Sequence, residues 1–377
     1  MKNNRFFALL ALQPLFIGCF GGCDVYQAAS SGANYLSIMS WNVQALFDGH
    51  DDGFEYEEYR DGSGWNTEKY TARLNRIAQG INAIGEHSPD VIAFIEVENR
   101  AVLEKLNSDF LSKERYKALY FAGNAGYSLG IGVLSKIPFE KTILHSINVD
   151  GEVIPRPVVE IWFEHGGQRL VLFVCHWKSK LGGEEATEKL RREAAKIVIR
   201  RQRELAAQFL NMPVVVAGDL NENYDEFYRC SAARICAIMP DDPEAARRSG
   251  YTLPEQEDEN AAADLETLPE RLPQDFFIVS NEKPPVSAFF DSQEGIFYSP
   301  WGNELQGGSY FYDGGWETID HFFLNGAFFD KTGIEFDSCF IVDCEPFVNS
   351  KGEPDRYNPR TGAGLSDHLP LVLRLSL

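Results

Sequence analysis

The stretch 157-PVVEIWFEHGGQRLVLFVCH-176 decides the fold. Two apolar runs rich in β-branched and aromatic residues flank His165-Gly166-Gly167, and a glycine pair between such runs signals a β-hairpin. A hairpin joins antiparallel neighbours, which argues against a purely parallel, doubly wound sheet. Outward from it, further strands are expected at 35-YLSIMSWNV-43, 90-DVIAFIEVEN-99, 116–121, 128–135, 214-VVVAG-218, 275–280, 309–313, 316–324 and 370–376. Between them, Tyr70, Leu74, Ile77, Ile81 and Ile84 recur at three- and four-residue spacing, which predicts an amphipathic helix closed by Pro89. A second helix is expected over 99–111, and a third over 187–211 with a Leu190, Ala194, Ile197, Leu205, Phe209 stripe. This alternation suits an α+β chain: two packed mixed sheets with helices outside, in four layers α/β/β/α.

At 377 residues, 44% hydrophobic and 24% charged, the chain is long enough for one large domain or two ordinary ones. We read residues 35–377 as a single domain with an irregular acidic excursion at about 223–274, containing 254-PEQEDENAAADLETLPE-270. With a formal net charge of -21 the chain has no global attraction for polyanions, so an anionic substrate needs a local basic surface or a metal. Lys2 and Arg5 precede the apolar run 6-FFALLALQPLFIGC-19, which is interrupted by Pro14 and too short for an ordinary transmembrane helix. Residues 1–22 thus read as an export signal, and 23–34 as a polar leader. The signal resembles that of bacterial lipoproteins, with cleavage before Cys19 and acylation of that cysteine, although Phe16 stands where Leu is usual. Ordinary cleavage and secretion is the alternative. The expected location is outer membrane, periplasm or extracellular space, with the membrane as a partner through the lipid anchor and no obligate protein partner. Cys175 reads as core. Cys230/Cys236 and Cys339/Cys344 are spaced for short disulfides in an exported chain, with the pairing open.

Polar residues interrupt the core at the ends of apolar strands. Asn42 ends "SIMSWN", Glu96 is embedded in "IAFIEVEN", His176 ends "LVLFVCH", and Asp219 and Asn221 end "VVVAGDLN". Asp320 and His321 sit in "TIDHFFLN", and Asp367 and His368 precede the last strand. Singly, an Asn or Asp at a strand end often bonds turn backbone. Glu96 is more telling, because a carboxylate inside an apolar strand must be paired, bind a cation or face a cleft. If these ends converge, they supply carboxylates for a hard cation, two histidines and amide donors, a set suited to phosphoryl chemistry. Magnesium fits it, with Mn2+ or Ca2+ as substitutes. Zinc is less favoured because the histidines lack compact ligand spacing.

The ordered motifs "SWNVQALF", "PDVIAFIEVEN", "LGIGVLSKIP", "CHWKSK", "AGDLNE", "TIDHFFLN" and "LSDHLPLVL" resemble the endonuclease/exonuclease/phosphatase superfamily over roughly 35–377. The resemblance implies a DNase I-like fold and hydrolysis of phosphoesters. It implies that Asn42, Glu96 and Asp367 lie at the metal, and that Asp219 orients or deprotonates the attacking water. Asn221 would hold phosphate or that water, and Asp320 would orient His368. His176 would donate to phosphate or help the leaving group. Tyr127 lies near a phosphate-contacting tyrosine of some nucleases. Lys178, Lys180 and Arg191 follow His176 as a candidate phosphate-positioning patch, and this loop is similar to that of secreted bacterial nucleases. The expected activity is Mg2+-dependent phosphodiester hydrolysis of nucleic acid, as an endonuclease. A phospholipid-headgroup or inositol-phosphate phosphoesterase is the enzyme alternative, and an inactive surface binding protein the non-enzyme one.

Overall fold

The structure is a computed structural model that describes residues 35–85, 87–123, 127–250, 274–283 and 296–377; the expected signal, leader and 254–270 run lie outside these. Along the chain come β1 (Tyr35–Leu46), α1 (Thr67–Ala83), β2 (Val91–Val97), α2 (Arg100–Lys105), β3 (Ala118–Ala122) and β4 (Gly130–Ser135). Then follow β5 (Phe139–Val149), β6 (Glu152–His165), β7 (Gln168–His176), α3 (Glu184–Gln208) and β8 (Val214–Asp219). The next part contains α4 (Glu226–Arg229), β9 (Ile238–Pro240), α5 (Pro243–Ser249), β10 (Phe277–Ser280) and β11 (Ile296–Tyr298). The chain finishes with β12 (Tyr310–Tyr312), β13 (Gly315–Glu317), β14 (Asp320–Leu324), β15 (Glu335–Ile341) and β16 (Leu371–Ser376).

One sheet has six strands in the order β15-β16-β1-β2-β4-β3, and the other has eight in the order β5-β6-β7-β8-β14-β11-β10-β9. Both are mixed. The pairs β1/β2 and β7/β8 run parallel, while β1/β16, β2/β4, β6/β7 and β8/β14 run antiparallel. The β6/β7 turn is made by Gly166 and Gly167 at φ 61° and 79°, the doubly left-handed geometry that matches strand twist. Four strands escape the sequence reading: β5 and β15, each at a sheet edge, and the three-residue β9 and β11. Asp150 and Gly151 close β5 onto β6 at φ 53° and 89°, a hairpin signal present in the sequence as "NVDGEV".

Alternation sorts the strand residues into layers. Leu36, Ile38, Val91, Ala93 and Ile95 meet Val159, Leu172, Val174, Ala217 and Phe322 between the sheets. On the outer side of the first sheet, Met39 and Trp41 pack under Leu74, Ile77 and Ile81 of α1. Phe173, Val214 and Val216 do the same under Ala194, Val198 and Leu205 of α3. Each such fully buried aliphatic or aromatic side chain stabilises by about 1.5–3 kcal/mol. The result is the four-layer α/β/β/α sandwich expected from the sequence. The described part of the acidic excursion joins it, because β9 pairs in parallel with β10 at the edge of the larger sheet.

The local disulfides are not formed. Cys175, Cys230, Cys236 and Cys339 are free thiols, and the sulfurs of Cys230 and Cys236 stand 3.7 Å apart. Cys339 belongs to the inter-sheet core. Cys344 is disulfide-bonded, to none of these four.

Two buried ion clusters fasten α3. Glu160 of β6 accepts from His145 at 2.7 Å, Arg201 at 2.8 Å and Trp162 at 2.6 Å. Burial pushes its carboxyl upward, but these partners outweigh that and pull it down to about 2. Arg191, fully buried, bonds Glu188 at 2.7 Å and Glu222 at 2.9 Å, and donates to the carbonyls of Lys178 and Glu184.

A depressed carboxyl contributes stability that is complete above its unfolded pKa and is lost as pH falls toward the folded one. In urea titrations the stability gap between wild type and Glu160→Gln should therefore shrink by about 2 kcal/mol from pH 7 to pH 3. Arg191→Met strands two buried carboxylates and should cost about 3–5 kcal/mol by the same measurement, with Arg191→Lys recovering part of it.

Candidate active site

The inward-facing row of each central strand runs apolar through the inter-sheet core and then ends on a polar residue. On β7 the row Leu170, Leu172, Val174 is followed by His176; on β8 Val215 and Ala217 are followed by Asp219. On the antiparallel β14, Asp320 precedes Phe322 and Leu324, and on β1 Asn42 lies at the same parity as Leu36 and Ile38. Strand register sets their level: His176 stands opposite Asp219, and Asp219 opposite Asp320.

Glu96 obeys a different rule. Simple alternation would send it to the α1 side, because Ile95 faces the inter-sheet core. The ladder shifts register between Ile95 and Val97, and Glu96 itself has φ 70°. It is the extra residue of a β-bulge, a device that re-aims a side chain. Its Oε2 accepts from the Ala45 N–H at 2.8 Å, and its Oε1 lies 3.8 Å from His176 Nε2. The receiving segment at Gln44 and Ala45 is itself left-handed, with φ 53° and 52°. Buried Arg73 holds that segment by donating to the carbonyls of Val43, Gln44 and Ala45.

The site is cross-braced. Asn42 Nδ2 donates to Asp219 Oδ2 at 3.0 Å, and the Asn221 N–H donates to Asp219 Oδ1 at 2.9 Å. Asn221 Nδ2 donates to the Trp177 carbonyl at 3.1 Å, so the loop after β8 is tied to the loop after β7. His368 Nδ1 bonds Asp320 Oδ2 at 2.8 Å, and the Ser309 hydroxyl donates to the same oxygen at 2.6 Å. Ser366 donates to the Asn42 carbonyl and Trp41 Nε1 to the His368 carbonyl, which pins the 366–368 segment to the end of β1.

The two histidines are driven apart electrostatically. Burial opposes the charged form of His368, but Asp320, Asp367 and Asp219 prevail and raise it to about 10. Burial drives His176 well below its ordinary value, with Arg156, His368 and Lys178 adding to the effect. At neutral pH one ring is an imidazolium and the other is neutral. Burial pushes the Asp219 carboxyl up to about 7, with Asp320 and Glu96 reinforcing it and His368 opposing. Opposite shifts in neighbouring groups are the pattern of acid–base sites.

The donor set suits a hard divalent cation. Asp219, Asp320 and His368 bring ligand atoms within 4.8 Å of one another, and Asp320 Oδ1 is buried with no hydrogen-bond partner. Because Asp320 holds His368 as an imidazolium, that ring offers no lone pair, and the carboxylate oxygens of the set are what magnesium or calcium prefers. Of the three residues expected at the metal, Glu96 leaves Oε1 without a hydrogen bond at the cleft. Asp367 pairs with Arg356 at 2.9 Å and stands 4.0 Å from His368 Nε2. Asn42 bridges Asp219 and the Gln44 N–H.

The basic patch is corrected in part. Arg191 is buried and saturated by Glu188 and Glu222, so it braces the loops and does not reach substrate. Lys180 is neutralised by Glu226 at 2.7 Å and Glu184 at 3.2 Å. Lys178 has no carboxylate partner among the described residues and bonds Ser179 Oγ and the Leu181 carbonyl. Tyr127 is exposed, just before β4, whose Gly130 pairs with Val97 beside Glu96. His321 is fully buried and bonds the Glu222 carbonyl at 2.8 Å, which makes it a packed residue and not a rim group. Sequence reasoning missed Arg156, whose guanidinium donates to the Trp177 carbonyl and acts electrostatically on His176. It also missed Ser309. Tyr310 lies in the aromatic segment 310-YFYDGGW-316, which the sequence offers as a lipid contact under the lipid-headgroup alternative or as a packing element; its ring lies 4.5 Å from that of His368.

The sequence profile of the Endonuclease/Exonuclease/phosphatase family matches residues 37–237, more than half of the chain. No curated protein matches the chain. Among solved structures, humanized D. rerio TDP2 is 14% identical, with 91% of this chain and 99% of that chain covered and a TM-score of 0.50. An endonuclease/exonuclease/phosphatase family protein from Bacteroides thetaiotaomicron is 13% identical over 92% of this chain and 99% of its own, with a TM-score of 0.49. The human Nocturnin catalytic domain with bound sulfate anion is 14% identical over 91% and 97%, with a TM-score of 0.45. At such identities the TDP2 likeness bears on the fold alone, and it agrees with the DNase I-like sandwich. With the strand-end constellation and the matched profile together, the chain belongs to the endonuclease/exonuclease/phosphatase family.

Proposed function

We propose that this protein is an exported, Mg2+-dependent phosphodiesterase that hydrolyses nucleic acid. Metal-dependent hydrolysis of phosphoesters is the chemistry of its family; the nucleic-acid substrate, the ion and the location are our reading. The observation that carries the substrate choice is the pair Arg156 and Lys178. Both act electrostatically on His176, and neither has a carboxylate partner among the described residues. In a chain of net charge -21, two uncompensated cations beside the reacting centre favour a polyanion there and nowhere else in particular. The Lys2/Arg5, apolar run and Cys19 pattern supports export with a lipid anchor.

The chain's own groups divide the work. Asp219, oriented by the Asn42 amide and the Asn221 N–H, accepts the proton of the attacking water near neutral pH. His368, kept cationic by Asp320, donates from Nε2 to the phosphate as negative charge grows on it. Neutral His176 hydrogen-bonds the substrate from the facing strand. Glu96 would be the principal carboxylate for the cation, which when bound polarises a non-bridging oxygen.

Purified protein should cleave a nucleic-acid panel of plasmid, single-stranded DNA and RNA with Mg2+ and not with EDTA. Failure on every member overturns the reading, and turnover of sphingomyelin or inositol phosphates instead would favour the lipid-headgroup alternative. Glu96→Ala should raise the Mg2+ concentration for half-maximal rate roughly tenfold or more. In Asp320→Asn the charge that holds the His368 proton is gone. Its pKa falls from about 10, so the alkaline limb of the rate profile should move to lower pH by more than about one unit. The maximal rate should fall roughly a hundredfold or more.

A further inference from the structure

We infer that Tyr310 and Tyr312 form a stacking platform for an unpaired base of the substrate, beside the phosphate being cleaved. The inference rests on the nucleic-acid reading for the identity of the stacked group.

Alternation along β12 puts Tyr310 and Tyr312 on one face and Phe311 on the other, where it packs against Trp316 at 5.3 Å. The Tyr310 ring tilts 31° to the His368 ring at 4.5 Å, and the Tyr312 ring lies parallel to Tyr310, within 8°, at 6.1 Å. Three rings therefore run in a row from the site histidine to solvent, and the last is 60% exposed. Such offset spacing is what aromatic rings prefer, and it leaves the outer face of Tyr312 open to one more planar group. Among the described residues, Tyr310 is its ring partner.

The platform is pre-positioned. Asp313 and Gly314 close the β12/β13 hairpin at φ 47° and 80°. Tyr310 bridges directly to the His368 backbone, and the Leu369 N–H donates to the Ser309 carbonyl at 2.7 Å. The row is thus fixed to the same segment that carries His368, so little order need be lost on binding. Arg356, half exposed, pairs with Asp367 and acts electrostatically on Tyr310, which ties the row further to the segment carrying His368.

The exposed aromatic surface is one ring on a three-residue strand whose other face is packed, which suits stacking of a single planar group better than insertion into a lipid surface. A base offers a flat face to any aromatic ring, and stacking is tolerant of sequence. Duplex bases have both faces covered by their neighbours, so the platform requires single-stranded or extruded nucleotides.

The test measures fluorescence anisotropy of the full chain in EDTA with two labelled ligands, a single-stranded oligothymidylate and an abasic oligomer of equal length. Wild type should bind the base-bearing ligand roughly tenfold more tightly. Tyr312→Ala should abolish that preference, and Tyr312→Phe and Tyr312→Trp should keep it, with melting curves confirming the fold of each. A Tyr312→Ala variant that keeps the preference, or a wild type without one, overturns the platform. So does vesicle binding that needs Tyr312 in the absence of any base preference. An intact, Tyr312-dependent preference without cleavage in Mg2+ supports the platform and overturns the nuclease reading instead.

Discussion

The parallel pairing of β7 with β8 is the constraint on which the site depends. It brings His176 level with Asp219, and the antiparallel return of β14 then brings Asp320 to the same height. Inward-facing side chains share one cleft only if all three strands keep that register, since a slip by one residue would turn each of them to the helix side. The apolar rows below supply the penalty that enforces it. Val174, Ala217 and Phe322 would leave the inter-sheet core in a pairing slipped by one residue. Catalytic placement is therefore a by-product of core packing, and no separate device is needed to align these three residues.

Electrostatics around the cleft is handled by segregation. Most cations near the strand ends are consumed in buried braces: Arg191 by Glu188 and Glu222, Lys180 by Glu226, Arg73 by three carbonyls. Among the described residues Arg156 and Lys178 have no carboxylate partner, and both act electrostatically on His176. The carboxylates of the site are likewise divided, with Asp320 spent on His368 and Glu96 keeping one oxygen without a hydrogen bond. An acidic protein can in this way present a local positive field without changing its overall charge.

Much of this was legible in the residues themselves. The apolar runs ending in Asn42, His176, Asp219 and Asp320 announce the inner rows, because period-two alternation survives in one dimension. The Gly166-Gly167 hairpin settled the mixed character of the larger sheet. Edge strands β5 and β15 escaped because bulges at Phe139/Lys141 and His145/Ile147 in one, and at Phe336/Ser338 in the other, break the two-residue period. Arg191 and Lys180 were misjudged for a related reason: a basic residue after a strand looks alike in sequence whether it meets solvent or a buried glutamate. Their partners, Glu222 and Glu226, sit 31 and 46 residues away along the chain. Cys339 and Cys344 illustrate the same point for thiols, since local spacing is silent about which way each side chain faces.

The bulge at Glu96 carries a consequence of its own for how this chain tolerates change. One residue placed out of phase sits between Ile95, which serves the inner core, and Val97, which serves the outer one, and turns the Glu96 carboxylate to the cleft. Ile95 and Val97 pair with the consecutive residues Ile131 and Gly130, so a chain lacking Glu96 would form a regular ladder with both hydrophobic layers in place. The sandwich does not need the extra residue. What the bulge adds is a side chain aimed at the cleft, held on a left-handed backbone that packing alone would not select.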